Sequence, residues 1–184
     1  FLIDVEKMED KKYKLPEGEE GAYGFAKGID GKLYLGTFSG RIYSFDVDKK
    51  EMKEVCHPFT NGQLIWGGDS SSLGKVYMGV YPTGEFCEYD IETNSVELFK
   101  PMPKENLGFY ARQFIELPDK RILVSITGAK PTLLVYEPKK KCYKKIWENS
   151  PDDEIKAFPS FECFFDEERL IVPLKNGLRI FNWK

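Results

Sequence analysis

One short strand ending returns five times along this chain, and that regularity constrains the fold more than any other feature. An apolar or aromatic residue followed by a polar one closes Leu2-Ile3-Asp4, Ser44-Phe45-Asp46, Glu88-Tyr89-Asp90, Val135-Tyr136-Glu137 and Ile180-Phe181-Asn182. The copies end at residues 4, 46, 90, 137 and 182, a period of about 45 residues. Ahead of each complete copy runs a second strand that opens on a basic residue, at Lys32 to Gly36, Lys75 to Gly79, Arg121 to Ser125 and Arg169 to Pro173. A fixed period of this length marks a repeat architecture, in which each unit buries its apolar face against the next.

The second repeat resolves into four predicted strands, Leu64 to Gly68, Lys75 to Tyr81, Glu85 to Ile91 and Ser95 to Phe99, each bounded by Gly, Pro, Asn or Ser. Short, evenly spaced strands with turn residues between them indicate an antiparallel meander, and no segment sustains a helical period. The expected fold is therefore all-β, a β-propeller of about four consecutive four-stranded blades. A sandwich has no need for one signature at this interval, and a β-helix repeats at a shorter one. The outer strands of one blade are expected in 1–16, as Phe1 to Val5 and Lys11 to Leu15. Blades follow at about 21–59, 62–103 and 109–149, with a partial blade over 156–184. Joining the ends would duplicate a third strand, so a stretch of a propeller of about six to eight blades is expected rather than a closed ring of four. The mid-strand opening at Phe1-Leu2-Ile3 suggests a processed or truncated product.

Turn chemistry supports the same units. Asp30-Gly31, Asn176-Gly177 and Glu92-Thr93-Asn94 suit tight hairpins. Gly36 and Gly79 recur at one strand position and are expected where the neighbouring blade approaches closely.

Charge and residue usage exclude several functions. Lys+Arg 27 against Asp+Glu 30 leaves a net charge of −3 with the signs interspersed, so nothing calls for nucleic acid. Lys139 to Lys141, Lys144 and Lys145 fall at an expected hairpin, either as a solvated edge or as a patch for an anionic partner. No stretch has the roughly 20 apolar residues of a membrane-spanning helix. The four cysteines lack paired spacing and His57 is the only histidine, which argues against zinc. Cys87, Cys142 and Cys163 lie in apolar strand patterns and are expected as small buried thiols. No pattern assigns a compartment.

The segments Lys75 to Asp90 and Lys32 to Asp46 resemble blades of bacterial streptogramin-lyase-like and gluconolactonase-like propellers. That resemblance implies architecture, because the pattern serves packing and turns. The lyases would imply a histidine general base with a divalent metal, and the gluconolactonase-like enzymes a metal held by carboxylates and an asparagine. His57 follows an outermost strand, away from the channel where those enzymes work, and no matching motif is present.

In propellers ligands meet the loops entering the innermost strands and the loops between the second and third strands. The first group here holds Tyr23, Asn61, Gln63, Trp66, Tyr110, Arg112, Gln113, Phe158 and Glu162; the second holds Phe38, Tyr81, Thr83, Lys130 and Lys175. Rings beside amides, an arginine and carboxylates suit a sugar or another polar organic ligand, while the same rings also suit the wedge between blades. Arg112 is placed either to fix an acidic ligand or to pair with a carboxylate of the next blade. Glu162 is a candidate general base or metal ligand. The acidic runs Glu17 to Glu20 and Asp152 to Glu154 are expected as solvated connections between repeats. The candidate ligand-binding residues are thus Tyr23, Gln63, Trp66, Tyr110, Arg112 and Glu162. They are expected in a non-catalytic binding or scaffold module for a small polar molecule, a carbohydrate among them, or for a protein partner. The alternative is a metal-dependent lyase or hydrolase completed by further blades. No cofactor is expected for the first, and a divalent metal for the second.

Overall fold

Hairpins dictate this architecture, because each strand turns back on its predecessor through residues that tolerate positive φ. Gly31 (80°), Lys50 (60°), Asn94 (53°), Lys120 (72°) and Lys141 (53°) each sit in such a turn. The computed structural model describes residues 2–4, 9–103, 108–128, 130–148, 164–165, 169–174 and 177–182. No helix occurs among them. A short hairpin joins β1 (Leu2–Asp4) to β2 (Glu9–Lys11). The first four-stranded sheet holds β3 (Ala22–Lys27), β4 (Leu33–Thr37), β5 (Ile42–Asp46) and β6 (Glu51–Cys56). The second holds β7 (Leu64–Ser70), β8 (Lys75–Tyr81), β9 (Phe86–Asp90) and β10 (Val96–Phe99). The third holds β11 (Phe109–Glu116), β12 (Ile122–Gly128), β13 (Thr132–Glu137) and β14 (Cys142–Glu148). A three-stranded sheet follows in β15 (Phe164–Phe165), β16 (Arg169–Leu174) and β17 (Gly177–Asn182). Every sheet is an antiparallel meander in chain order.

The innermost strands β3, β7 and β11 pack in series, as in adjoining propeller blades. Because both faces of the middle sheet are covered, β8 is a nearly continuous apolar run rather than an alternating one. Its residues still divide by parity. Val76, Met78 and Val80 join Tyr34, Ile42 and Ile65 in one core, whereas Tyr77 joins Phe114, Ile122, Val124 and Tyr136 in the next. Gly36 and Gly79 are the points of closest approach. A Cβ on Gly36 would lie 2.2 Å from Ile65 Cγ2, and one on Gly79 would lie 2.1 Å from the Ala111 carbonyl oxygen. Both glycines are therefore required by neighbouring blades, as their recurrence suggests.

The first sheet has a second apolar face, formed by Leu35, Tyr43 and Phe45 with Leu33 and Met52 against it. By register these positions correspond to Val76, Met78, Cys87 and Tyr89 of the second sheet, which the first sheet covers. On the first sheet Tyr13 lies over Phe45, at 5.0 Å between ring centroids, beside a groove of about 260 Å³ bordered by Phe25, Leu33 and Leu35. Phe25 is 55% exposed there.

Three expectations need correction. The partner strand expected over Lys11 to Leu15 lies instead at Glu9–Lys11, because the ladder pairs Leu2 with Lys11 and Asp4 with Glu9. The chain beyond it leaves the ladder, and Tyr13 packs on the first sheet. Cys142 is exposed rather than buried, since it opens the outermost strand β14, most of whose residues face solvent; Cys87 is buried as expected, and Cys163 lies outside the described residues. Glu19 is not solvated: its side chain is only 1% exposed. In the second sheet, by contrast, all four strands agree with expectation to within two residues at each end.

Candidate functional site

A bulge recurs at the same place in the innermost strands of the three four-stranded sheets. Pairing jumps between Ala22 and Gly24, between Ile65 and Gly67, and between Ala111 and Gln113. The extra residue is Tyr23, Trp66 and Arg112 in turn. A bulge leaves one residue out of the ladder and re-aims its side chain, so one device presents these three expected site residues from successive blades. The register also places the ends of β4 and β8 at the same edge, because Ala22 faces Thr37 and Leu64 faces Tyr81.

The rings at this edge form one connected row. Tyr23 stacks on Phe38 at 4.9 Å and on Trp66 at 4.7 Å, with interplanar angles of 11° and 5°. Phe38 and Trp66 are 6.0 Å apart and nearly parallel. Rings on opposite faces of Tyr23 would be separated by about 7 Å, twice the van der Waals contact distance. Phe38 and Trp66 therefore lie side by side against the same face of Tyr23. With that face covered by two rings, the 55% exposure of Tyr23 among the described residues lies mainly on its other face. Trp66 then meets Tyr110 edge-on at 5.9 Å, and Tyr110 stacks on Tyr81 at 4.3 Å. Burial, followed by the neighbouring Tyr81, pushes the Tyr110 phenol above its ordinary value.

The other expected residues are placed differently. Gln63 is buried, and its amide donates to Thr83 Oγ1 at 2.8 Å and Glu85 Oε2 at 2.9 Å, which braces the β8–β9 turn from within its own blade. Glu85 also pairs with Lys100 at 3.1 Å. Asn61 and Arg112 are exposed. Lys130 pairs with Glu148. Glu162, Phe158 and Lys175 lie outside the described residues. His57 follows β6, with Nε2 3.0 Å from the Ser39 carbonyl oxygen. Among the described residues no three His, Cys, Asp or Glu side chains are grouped to hold a metal ion, so no metal-dependent step is derived from them. The arrangement offers a fixed aromatic face with hydroxyl and guanidinium groups along the same edge. Such a face covers the apolar side of a ring while polar groups meet its rim.

Sequence reasoning identified the rings but missed what orders them. Glu19 reaches the β4–β5 turn from twenty residues upstream, a pairing that no local pattern announces.

No protein-family model matches the chain, and no curated protein matches it. Solved structures do. The chain is similar to an extracellular domain, described as that of a hybrid two-component system, BT3049 from B. thetaiotaomicron, at 14% identity and a TM-score of 0.66, covering 98% of this chain and 24% of that one. It is similar to virginiamycin B lyase from Staphylococcus aureus, at 13% identity and a TM-score of 0.56, over 95% and 69% of the two chains. It is also similar to a gluconolactonase from Xanthomonas campestris, at 11% identity and a TM-score of 0.58, over 89% and 58%. The chain thus spans less than a quarter of the length of the first of these. At such identities the likeness shows the fold, blades of the propeller type, and leaves activity open.

Proposed function

We propose that this chain is a run of blades in a larger propeller and that it acts as a binding module for a small polar ligand, with the open face of Tyr23 as the platform. The observation that carries this reading is the placement of Phe38 and Trp66 against one face of Tyr23. A ring held from behind loses little freedom when a ligand lies on its front, and pre-organisation of this kind favours affinity. A saturated sugar ring suits the platform, with C–H bonds toward the ring and hydroxyls toward the edge. The larger ring is supported by the apolar groove beside Tyr13 on the first sheet, where Phe25 is 55% exposed, on the face whose counterpart in the second sheet is covered by a blade.

The test is a panel of mono- and oligosaccharides and small carboxylic acids, followed by tryptophan fluorescence and calorimetry. Tyr23→Ala is expected to weaken a binder by about tenfold or more while costing stability only about 1 kcal/mol, the worth of its ring contacts. Trp66→Ala, behind the platform, should weaken binding less and destabilise more. Unchanged affinity in Tyr23→Ala would remove the platform from the site.

A further inference from the structure

Phe38 owes its place to the segment that precedes β3. Its backbone N–H donates to the Gly21 carbonyl at 3.0 Å. Any side chain at Gly21 would meet the Phe38 ring, at 3.0 Å from its Cβ. Two residues earlier, Glu19 Oε1 accepts from Ser39 Oγ at 2.7 Å, from Tyr43 Oη at 3.0 Å and from Arg41 Nη1 at 3.3 Å. One carboxylate oxygen therefore gathers the residue after Phe38, the far side of its turn and the strand beyond. The turn itself closes through Gly40 N–H to the Thr37 carbonyl, with Gly40 at φ 83°.

We infer that Glu19 is the positioning residue of the aromatic row: as a carboxylate it holds the turn that sets Phe38 behind Tyr23, and its protonation loosens that row. The functional consequence rests on the platform reading above, whereas the structural claim stands apart from it.

The surroundings of Glu19 fit this role. Burial raises its pKa, but the hydrogen bonds it accepts, led by Ser39 and followed by Tyr43 and Arg41, outweigh burial and hold it below the ordinary value of 4.5. The charged and titratable neighbours come from three sides. Arg41 and Tyr43 belong to the β4–β5 hairpin. Glu54 on β6 pairs with Arg41 Nε at 3.4 Å, and His57 holds the Ser39 carbonyl. Burial, then the Glu19 hydrogen bond, pushes Tyr43 up to about 12, so its phenol keeps its proton wherever Glu19 titrates. Glu19 Oε2 is buried and accepts no hydrogen bond among the described residues, so the holding contacts all run through Oε1. A carboxyl with a depressed folded-state pKa stabilises above its unfolded value and ceases to do so as pH falls through the folded one. The row is therefore assembled at neutral pH and loosens in acid below about 4.5.

Near-ultraviolet circular dichroism and tryptophan fluorescence of the free chain test this, with no ligand needed; failure to find a ligand leaves the test intact. The unaltered chain is expected to lose reversibly in acid the part of its near-ultraviolet signal that Phe38→Leu removes, before its far-ultraviolet signal changes. At neutral pH Glu19→Gln should already show the weakened spectrum of Phe38→Leu, and that spectrum should no longer respond to acid. Ser39→Ala, which removes one donor, should fall between. A Glu19→Gln chain with native far-ultraviolet signal, the original near-ultraviolet spectrum and the original acid response overturns the inference. If Glu19→Gln does not fold, an unchanged spectrum and acid response in Ser39→Ala overturn it equally.

Discussion

Gly79→Ala is expected to lower stability by about 3 kcal/mol, the upper end of what overpacking costs, and the melting temperature by about 10 °C for a chain of this size. The added methyl carbon would lie 2.1 Å from the Ala111 carbonyl oxygen and 2.6 Å from its Cβ. The first obstacle is backbone in the innermost strand of the next blade, so relief requires β8 and β11 to separate. Gly36→Ala makes the informative comparison. Its nearest obstacles are side-chain atoms, the Cγ2 of Ile65 at 2.2 Å and its Cβ at 2.9 Å; Ile65 is buried and stiff at χ1, but no backbone stands in the way, so a smaller loss of about 2 kcal/mol is expected. In the third sheet the corresponding residue is Ser125, whose hydroxyl donates to Gln113 at 3.3 Å. Denaturant unfolding of both variants checks the ordering. Equal losses would mean that the blades adjust to Gly79 as readily as to Gly36.

The second large effect is expected at Lys141. Lys141 pairs with Glu88 of the neighbouring sheet, whose side chain is 1% exposed and also accepts from Tyr77 Oη at 3.1 Å. Removing one partner of a fully buried pair costs about 3–5 kcal/mol because a charge is left uncompensated. The Lys141 side chain is 41% exposed and also lies 3.3 Å from Glu97, so water and a second carboxylate share the pair. We therefore expect Lys141→Met to cost about 2 kcal/mol. The first sheet carries Ser44 where the second carries Glu88, which supplies a neutral replacement. Adding Glu88→Ser to Lys141→Met should recover part of the loss, and a double-mutant cycle in urea measures the coupling. A coupling near zero would show that Lys141 is one more solvated charge of the basic hairpin. The sequence left that hairpin open between a solvated edge and an anionic-partner patch. Its central lysine serves instead to join two blades.

Much of the candidate site was legible because propeller geometry assigns loops to edges. Knowing that Tyr23, Trp66 and Tyr110 enter innermost strands, and that Phe38 and Tyr81 leave second strands, is enough to bring them to one edge. The role of each ring was not legible. Tyr23 was one candidate among several, and the distances make it the exposed platform with Phe38 and Trp66 behind it. Gln63 was a candidate ligand contact, and its amide is used inside the blade by Thr83 and Glu85. The bulges that align Tyr23, Trp66 and Arg112 leave no trace that composition or alternation reveals.

The sequence by itself determined the all-β class, the period of about 45 residues and, to within two residues, the strand limits of the second sheet. It also singled out the two glycines at the blade contacts. These properties depend on side-chain alternation and turn chemistry, which act over a few residues and so are written locally. Only the tertiary structure decided that Glu19 is buried, that Lys141 belongs to Glu88, that Cys142 is exposed and that one face of Tyr23 is open. Each of these depends on groups from different hairpins or blades meeting at hydrogen-bonding or van der Waals distance, and such a meeting is set by how the sheets stack rather than by any neighbour in the chain.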